Sequence, residues 1–148
     1  MFYLVNLVTN LTKVIMIKNK IIEQEIVIKS TPHEIYELFM DSKKHSKLTE
    51  SKTTVSREIG GKFSIYEGAL SGKNVELIQD KKIVQTWRGS GENWAKGYYS
   101  TITLNLEPVE QGTLIKFTHE DIPEGAYESV KEGWDIYYWG PLKDMFEK

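Results

Sequence analysis

The first interpretable pattern is a strand over residues 21–29, where Ile22, Ile26 and Ile28 share one side against Glu23 and Glu25. A helix start follows at once. Thr31 suits the cap, Pro32 the first helical position, and Glu34 completes a capping box. Ile35, Leu38 and Phe39 then form an apolar stripe at helical spacing. A second short helix is expected over residues 43–50, anchored by Leu48.

Beyond residue 52 the pattern becomes strands and turns. A strand over 53–59 leads to a tight turn at Gly60-Gly61, and a strand over 63–70 follows. Ser71-Gly72 is expected to turn the chain into a strand over 74–79, and Asp80-Lys81 into another over 82–88. Residues 89–93 read as a loop. From 100 to 106, Ile102, Leu104 and Leu106 alternate with Thr101, Thr103 and Asn105. Gln111-Gly112 closes a hairpin onto 113–119, where Ile115 and Phe117 share a face. Such alternation predicts an antiparallel sheet with one wet side and one buried side.

The cover for the buried side is the segment 127–146. Val130, Trp134, Tyr137 or Tyr138, Leu142 and Met145 recur there at helical spacing. Gly140-Pro141 falls inside it and predicts a bend, because proline removes a backbone hydrogen bond at a cost of about 3 kcal/mol. The order of elements therefore predicts an α+β helix-grip fold. A curved antiparallel β-sheet wraps around a long C-terminal α-helix, with two short helices after the first strand.

With 148 residues and no repeat or linker, the chain reads as one domain over 21–148, preceded by an extension over 1–20. That extension is apolar, but Asn6, Thr9, Asn10, Thr12 and Lys13 interrupt it short of the ~20 apolar residues of a membrane span. It also lacks the basic start and small-residue cleavage site of a signal peptide, and a weak amphipathic anchor is the lesser alternative. Met16 is a candidate true start.

Composition narrows the function classes. A net charge of −2, with lysines interleaved among acids, gives no concentrated basic face for nucleic acid. The absence of cysteine rules out disulfides, thiolate metal sites and a cysteine nucleophile, and fits a cytoplasmic setting. Four Trp, eight Tyr and five Phe form either a bulky core or an aromatic-lined pocket. A monomer is expected.

Candidate chemistry is sparse. His33 and His45 are expected on the surface, and His119, beside Glu120 and Asp121, is the one candidate proton-transfer or metal residue. A metal site needs a third or fourth ligand, and none lies at close spacing. Gly60-Gly61 and the 89–93 loop do not open helices, so neither is a phosphate loop. No HExxH or nucleophile-elbow pattern occurs. No catalytic residue, metal or cofactor is assigned; an enzyme acting through His119 or Glu67 is the weakest alternative.

Gly60-Gly61-Lys62-Phe63, Gly68, Ser71-Gly72, Ile83-Val84 and Trp87-Arg88 resemble the body of the activator domain of the heat-shock protein 90 ATPase. Residues 30–36, 101–104 and 133–139 followed by Leu142-Lys143 and Phe146 resemble it as well, so the likeness runs from about 22 to 148. The resemblance implies a START-like fold of the SRPBCC helix-grip superfamily, and is strongest to the C-terminal domain of the eukaryotic activator. It implies a non-catalytic, co-chaperone-like role with a heat-shock protein 90 class chaperone as partner. In that activator a separate N-terminal domain supplies much of the chaperone contact, and 148 residues leave no room for one. The alternative is a START-like carrier or sensor of a small hydrophobic ligand held between sheet and helix. The candidates facing that gap are Phe63, Ile65, Trp87, Ile102, Leu104, Ile115, Phe117, Trp134 and Tyr138. A pocket with unpaired Trp or Tyr tips favours the ligand; complete interdigitation favours surface recognition.

Overall fold

The computed structural model describes residues 19–147. The expectations for the N-terminal extension and a start at Met16 lie outside the described residues. The chain runs β1 (Asn19–Ile28), α1 (Pro32–Met40), α2 (Ser42–Thr49), β2 (Thr53–Val55), β3 (Lys62–Ile65), β4 (Leu70–Ile78), β5 (Lys82–Trp87), β6 (Ser100–Val109) and β7 (Gly112–Pro123). A 3₁₀ turn (Glu124–Ala126) leads into the C-terminal helix. That helix comprises α3 (Tyr127–Trp134), a π-helical turn (Asp135–Trp139) and α4 (Gly140–Phe146).

All seven strands form one antiparallel sheet in the order β1-β7-β6-β5-β4-β3-β2. Irregularities between Lys20 and Ile22 and between Asn74 and Glu76 bend it, since an extra residue on one strand kinks the ladder. Along β6 the buried positions Ile102, Leu104 and Leu106 lie opposite His119, Phe117 and Ile115 of β7. Ile22, Ile26 and Ile28 of β1 extend the same inner face. Against it stand Trp134, Tyr138, Trp139 and Leu142 of the helix. Each such aliphatic or aromatic side chain contributes roughly 1.5–3 kcal/mol on burial, so this layer is the main source of stability.

The two short helices begin as their sequence dictates. Thr31 Oγ1 accepts from the Glu34 N–H, and Asp41 caps α2 by accepting from Lys44 N–H. Among the described residues, no helix is long and apolar enough to cross a membrane.

Two expectations need correction. The 63–70 strand stops at Ile65, and the turn lies at 66–69 rather than at Ser71-Gly72, which belong to β4. Gly72 is required by close approach inside the sheet: a β-carbon there would sit 1.8 Å from the Thr86 carbonyl oxygen. At Pro141 the helix carries a π turn, in which the Gly140 N–H reaches back five residues to the Asp135 carbonyl. The backbone stays right-handed helical at Trp134, Asp135, Trp139 and Gly140. The wide turn also sets the helix phase. Trp134, Tyr138 and Leu142 point inward at intervals of four, leaving Tyr137 51% and Met145 38% exposed.

Candidate functional site

A cleft of about 330 Å³ opens between the C-terminal helix and the end of the sheet where β3, β4 and β5 meet. One wall comes from Trp134, Tyr138, Val130 and Gly133 of the helix, the other from Tyr66, Leu70, Trp87 and Trp94. Its position follows from the backbone. The β3–β4 turn holds Tyr66 and Glu67 in left-handed conformation, φ 53° and 55°, followed by Gly68 at 96°. Non-glycine residues enter that region only at a cost, and here the consequence is a Tyr66 ring turned toward the helix, edge-on to Tyr137 at 5.9 Å. Trp87 ends β5 opposite Ser100. Trp94 lies in the following loop, which Arg88 secures by donating to the carbonyls of Trp94, Ala95 and Tyr98. Trp87 and Trp94 meet edge to face at 5.5 Å, a favoured aromatic geometry.

Beneath the cleft, two buried histidines grip the helix. His119 accepts at Nδ1 from the Trp134 indole N–H (3.0 Å) and faces Ser100 Oγ through Nε2 (2.7 Å). An indole nitrogen only donates, so Nδ1 is the unprotonated nitrogen and Nε2–H donates to Ser100. Ser100 Oγ–H in turn donates to the Trp87 carbonyl. Burial pushes His119 down to about 3, so the ring is neutral at physiological pH. The Ser–His pair thus resembles a nucleophile and base only in its spacing. Nε2 already carries the proton a general base would have to accept, and both residues are fully buried.

His45 has the opposite tautomer. Its Nδ1–H donates to the Phe39 carbonyl (3.0 Å), and Nε2 accepts from the Tyr138 hydroxyl (2.8 Å). The expectation of a surface His45 is therefore corrected: it is 4% exposed. With Leu48 and Thr49, it makes the inner face of α2, a spacing that its lysine neighbours obscure. Burial holds the His45 pKa below the ordinary histidine range, with the Phe39 hydrogen bond opposing. Burial, with a smaller contribution from Tyr66, raises the pKa of Tyr138, keeping its hydroxyl a neutral donor. His33 is on the surface beside Asp80, at 3.0 Å. Among the described residues no group of three or more His, Asp or Glu is placed to hold a metal ion.

Of the nine residues proposed to face the gap, the structure brings Trp87, Trp134 and Tyr138 to the cleft. Phe63, Ile65, Ile102, Leu104, Ile115 and Phe117 lie in the packed interior, each 4% exposed or less. The sequence reading missed Tyr66, Trp94 and Gly133. Tyr66 was hidden within a supposed strand, and Trp94 beside a glycine- and asparagine-rich loop that read as polar.

Comparison with known proteins places this architecture. The family model described as "Activator of Hsp90 ATPase homolog 1-like protein" matches residues 29–147. The chain belongs to this family. An activator of 90 kDa heat shock protein ATPase homolog from Dictyostelium discoideum is 34% identical over 78% of the chain and 30% of its own length. Human activator of 90 kDa heat shock protein ATPase homolog 1 is 30% identical over 79% of the chain and 34% of its own length. The chain therefore spans about a third of the curated relatives it matches. A crystal structure of an HSP90 activator from Plasmodium falciparum superposes with a TM-score of 0.76 at 26% identity, covering 86% of this chain and 95% of that one. The activator family's helix-grip fold is thus shared across the seven-stranded sheet and its C-terminal helix.

Proposed function

We propose that this domain is a non-catalytic, co-chaperone-like module that engages an Hsp90-class chaperone and acts on its ATPase cycle. The observation that carries the reading is the family match over 29–147, supported by relatives named as activators of the Hsp90 ATPase. The protonation of the His119–Ser100 pair also favours a non-enzymatic role, since the residue best placed to be a base is spent on holding Trp134. The proposed setting is the cytoplasm, with a part in stress responses following from that partner.

The test is binding of the purified protein to the matching chaperone by calorimetry, with ATP turnover measured alongside. Saturable binding with a changed turnover rate supports the proposal. Neither binding nor a change in turnover sinks it.

Carriage of a small hydrophobic ligand is a second role for the same scaffold. It draws support from the 330 Å³ cleft, which falls at the lower end of the usual range of roughly 300–1,000 Å³ for small-molecule sites.

A further inference from the structure

A separate surface groove, of about 280 Å³, lies where α1, α2 and the end of α4 converge. Its lining is Glu34 and Leu38 of α1, Lys44 and Lys47 of α2, and Met145 and Phe146 of α4. Leu38 is buried and Phe146 packs partly against the core, so the floor is apolar. Helical spacing predicts Met145 on the inner face with Leu142, but it emerges 38% exposed after the π turn and stands at the groove.

The lysines at this groove are unpaired. Lys43, Lys44 and Lys47 are all exposed, and Lys44 and Lys47, three positions apart, share one side of α2. None of the three forms an ion pair with a described residue. Asp41, the neighbouring acid, directs its carboxylate onto the Lys44 backbone N–H as the helix cap. Glu34, the one acid in the lining, accepts from the Thr31 hydroxyl within its own capping box. On α4, Asp144 and Glu147 are exposed but lie outside the lining. Lys43 and Lys44 also fall in the first turn of α2, which holds no acid and where the helix dipole is positive. Cations there work against the helix, so folding gives no reason for them. An incoming anionic group would satisfy both the lysines and the dipole.

We propose that this groove docks a short acidic segment of a partner protein, with a large apolar side chain seated on Leu38, Met145 and Phe146 and flanking carboxylates paired with Lys44 and Lys47. Charge complementarity selects the acidic flanks, and the apolar floor selects the anchor. Methionine suits such a seat, because its unbranched, polarisable chain adapts to varied apolar partners. An anionic membrane is a poorer fit. Recognition of a lipid surface takes clusters of about four to eight basic residues, and the lining offers two. Such docking is independent of the cleft and goes beyond the chaperone role, since the segment is defined by its chemistry and not by the protein that carries it.

The test is fluorescence anisotropy with the whole protein and three fluorescein-labelled peptides. They are Asp-Glu-Leu-Phe-Glu-Asp, then Asp-Glu-Ser-Ser-Glu-Asp, which lacks the anchors, and Lys-Lys-Leu-Phe-Lys-Lys, which reverses the charge. The expected result is saturable binding of the first, with at least tenfold weaker binding of the other two. K44E/K47E is expected to weaken the first peptide at least tenfold. K81E/K131E, an equal charge change at exposed lysines outside the groove, is expected to leave it within twofold. M145D, at an exposed position, is expected to keep its far-ultraviolet circular dichroism and lose the first peptide. No binding of the first peptide up to 1 mM, or binding unchanged in K44E/K47E, overturns the site. Equal weakening by the two double variants reduces the attraction to net charge and overturns the groove. Equal binding of the first two peptides, or binding unchanged in M145D, overturns the apolar seat. Sedimentation with phosphatidylserine vesicles that K44E/K47E abolishes, without binding of the first peptide, assigns the lysines to a membrane and overturns the docking of a protein segment.

Discussion

The C-terminal helix meets the sheet in two different ways along its length. At the far end Leu142 is fully buried, and Trp139 closes edge-on to Phe117 at 5.0 Å while its indole N–H donates to Gln24. At the near end the contact opens into the cleft. Tyr66 there presents a buried hydroxyl with no hydrogen-bond partner, and Gly133 leaves unfilled space. The join between them is the pair of histidine clamps, His45 to Tyr138 and His119 to Trp134. One end has the packing of a protein interior, where side chains interdigitate and polar tips are paired. The other gives up such contacts, which an element selected for stability alone would retain. The contrast makes distinct predictions for each end and for the join.

The largest effect is expected at the join, on acidification. Burial lowers the folded-state pKa of both His45 and His119, the latter to about 3, so below the ordinary value of 6.5 the unfolded chain binds protons that the native state refuses. Stability is therefore fully present above pH 6.5 and is lost as the pH falls toward the folded-state values. For His119 the slope approaches about 1.4 kcal/mol per pH unit between those limits, and His45 adds to it in the same direction. Urea titrations between pH 6 and 5, above the ordinary carboxylate range, isolate this term. H119Q is expected to be less stable at pH 7 and to show a shallower slope than wild type in that window. An unchanged slope would mean that burial does not hold His119 neutral.

At the packed end, L142A removes a side chain that is 0% exposed. A loss of about 2–5 kcal/mol is expected from transfer and cavity terms together. V130A, where the side chain is only partly buried beside the cleft, is expected to cost about 1 kcal/mol or less. Equal losses in urea denaturation would erase the difference between the two ends.

The two ends were not equally legible in the sequence. Ile102, Leu104, Leu106, Ile115 and Phe117 declare a half-buried sheet because alternation is a local property with period two. Trp134, Tyr138 and Leu142 declare the inner face of the helix in the same local way. The cleft depends on features without a period. Tyr66 reaches it only because two consecutive non-glycine residues adopt positive φ, and Trp94 only because Arg88 binds three loop carbonyls. His45 was masked by Lys43, Lys44 and Lys47, although His45, Leu48 and Thr49 fall on one helical face. The π turn, too, has no signature beyond the proline that it accommodates. Periodic burial is readable from sequence; side chains placed by one particular turn are not.

At the open end, substitutions are expected to stabilise. G133A adds a methyl group that meets nothing closer than 3.8 Å and raises the helix propensity of α3. A gain of about 0.5–1 kcal/mol in urea denaturation is expected. A loss instead would mean that the cleft has no room for even one carbon, and would count against a ligand there.

The smallest effect is expected from Y66F. The Tyr66 hydroxyl has lost its contact with water and found no partner in exchange, and burial raises its pKa, so it stays protonated and uncharged. Removing a buried polar group that is already unsatisfied costs no hydrogen bond, and the phenyl ring keeps its edge contact with Tyr137. The left-handed backbone at residue 66 is the same for both side chains. The expected change runs from zero to a gain of about 1 kcal/mol. A loss of more than that would show that the hydroxyl is bonded in solution, with a buried water as the simplest acceptor. The near end of the helix would then be as well satisfied as the far end, and the contrast would rest on Gly133 and the cleft volume alone.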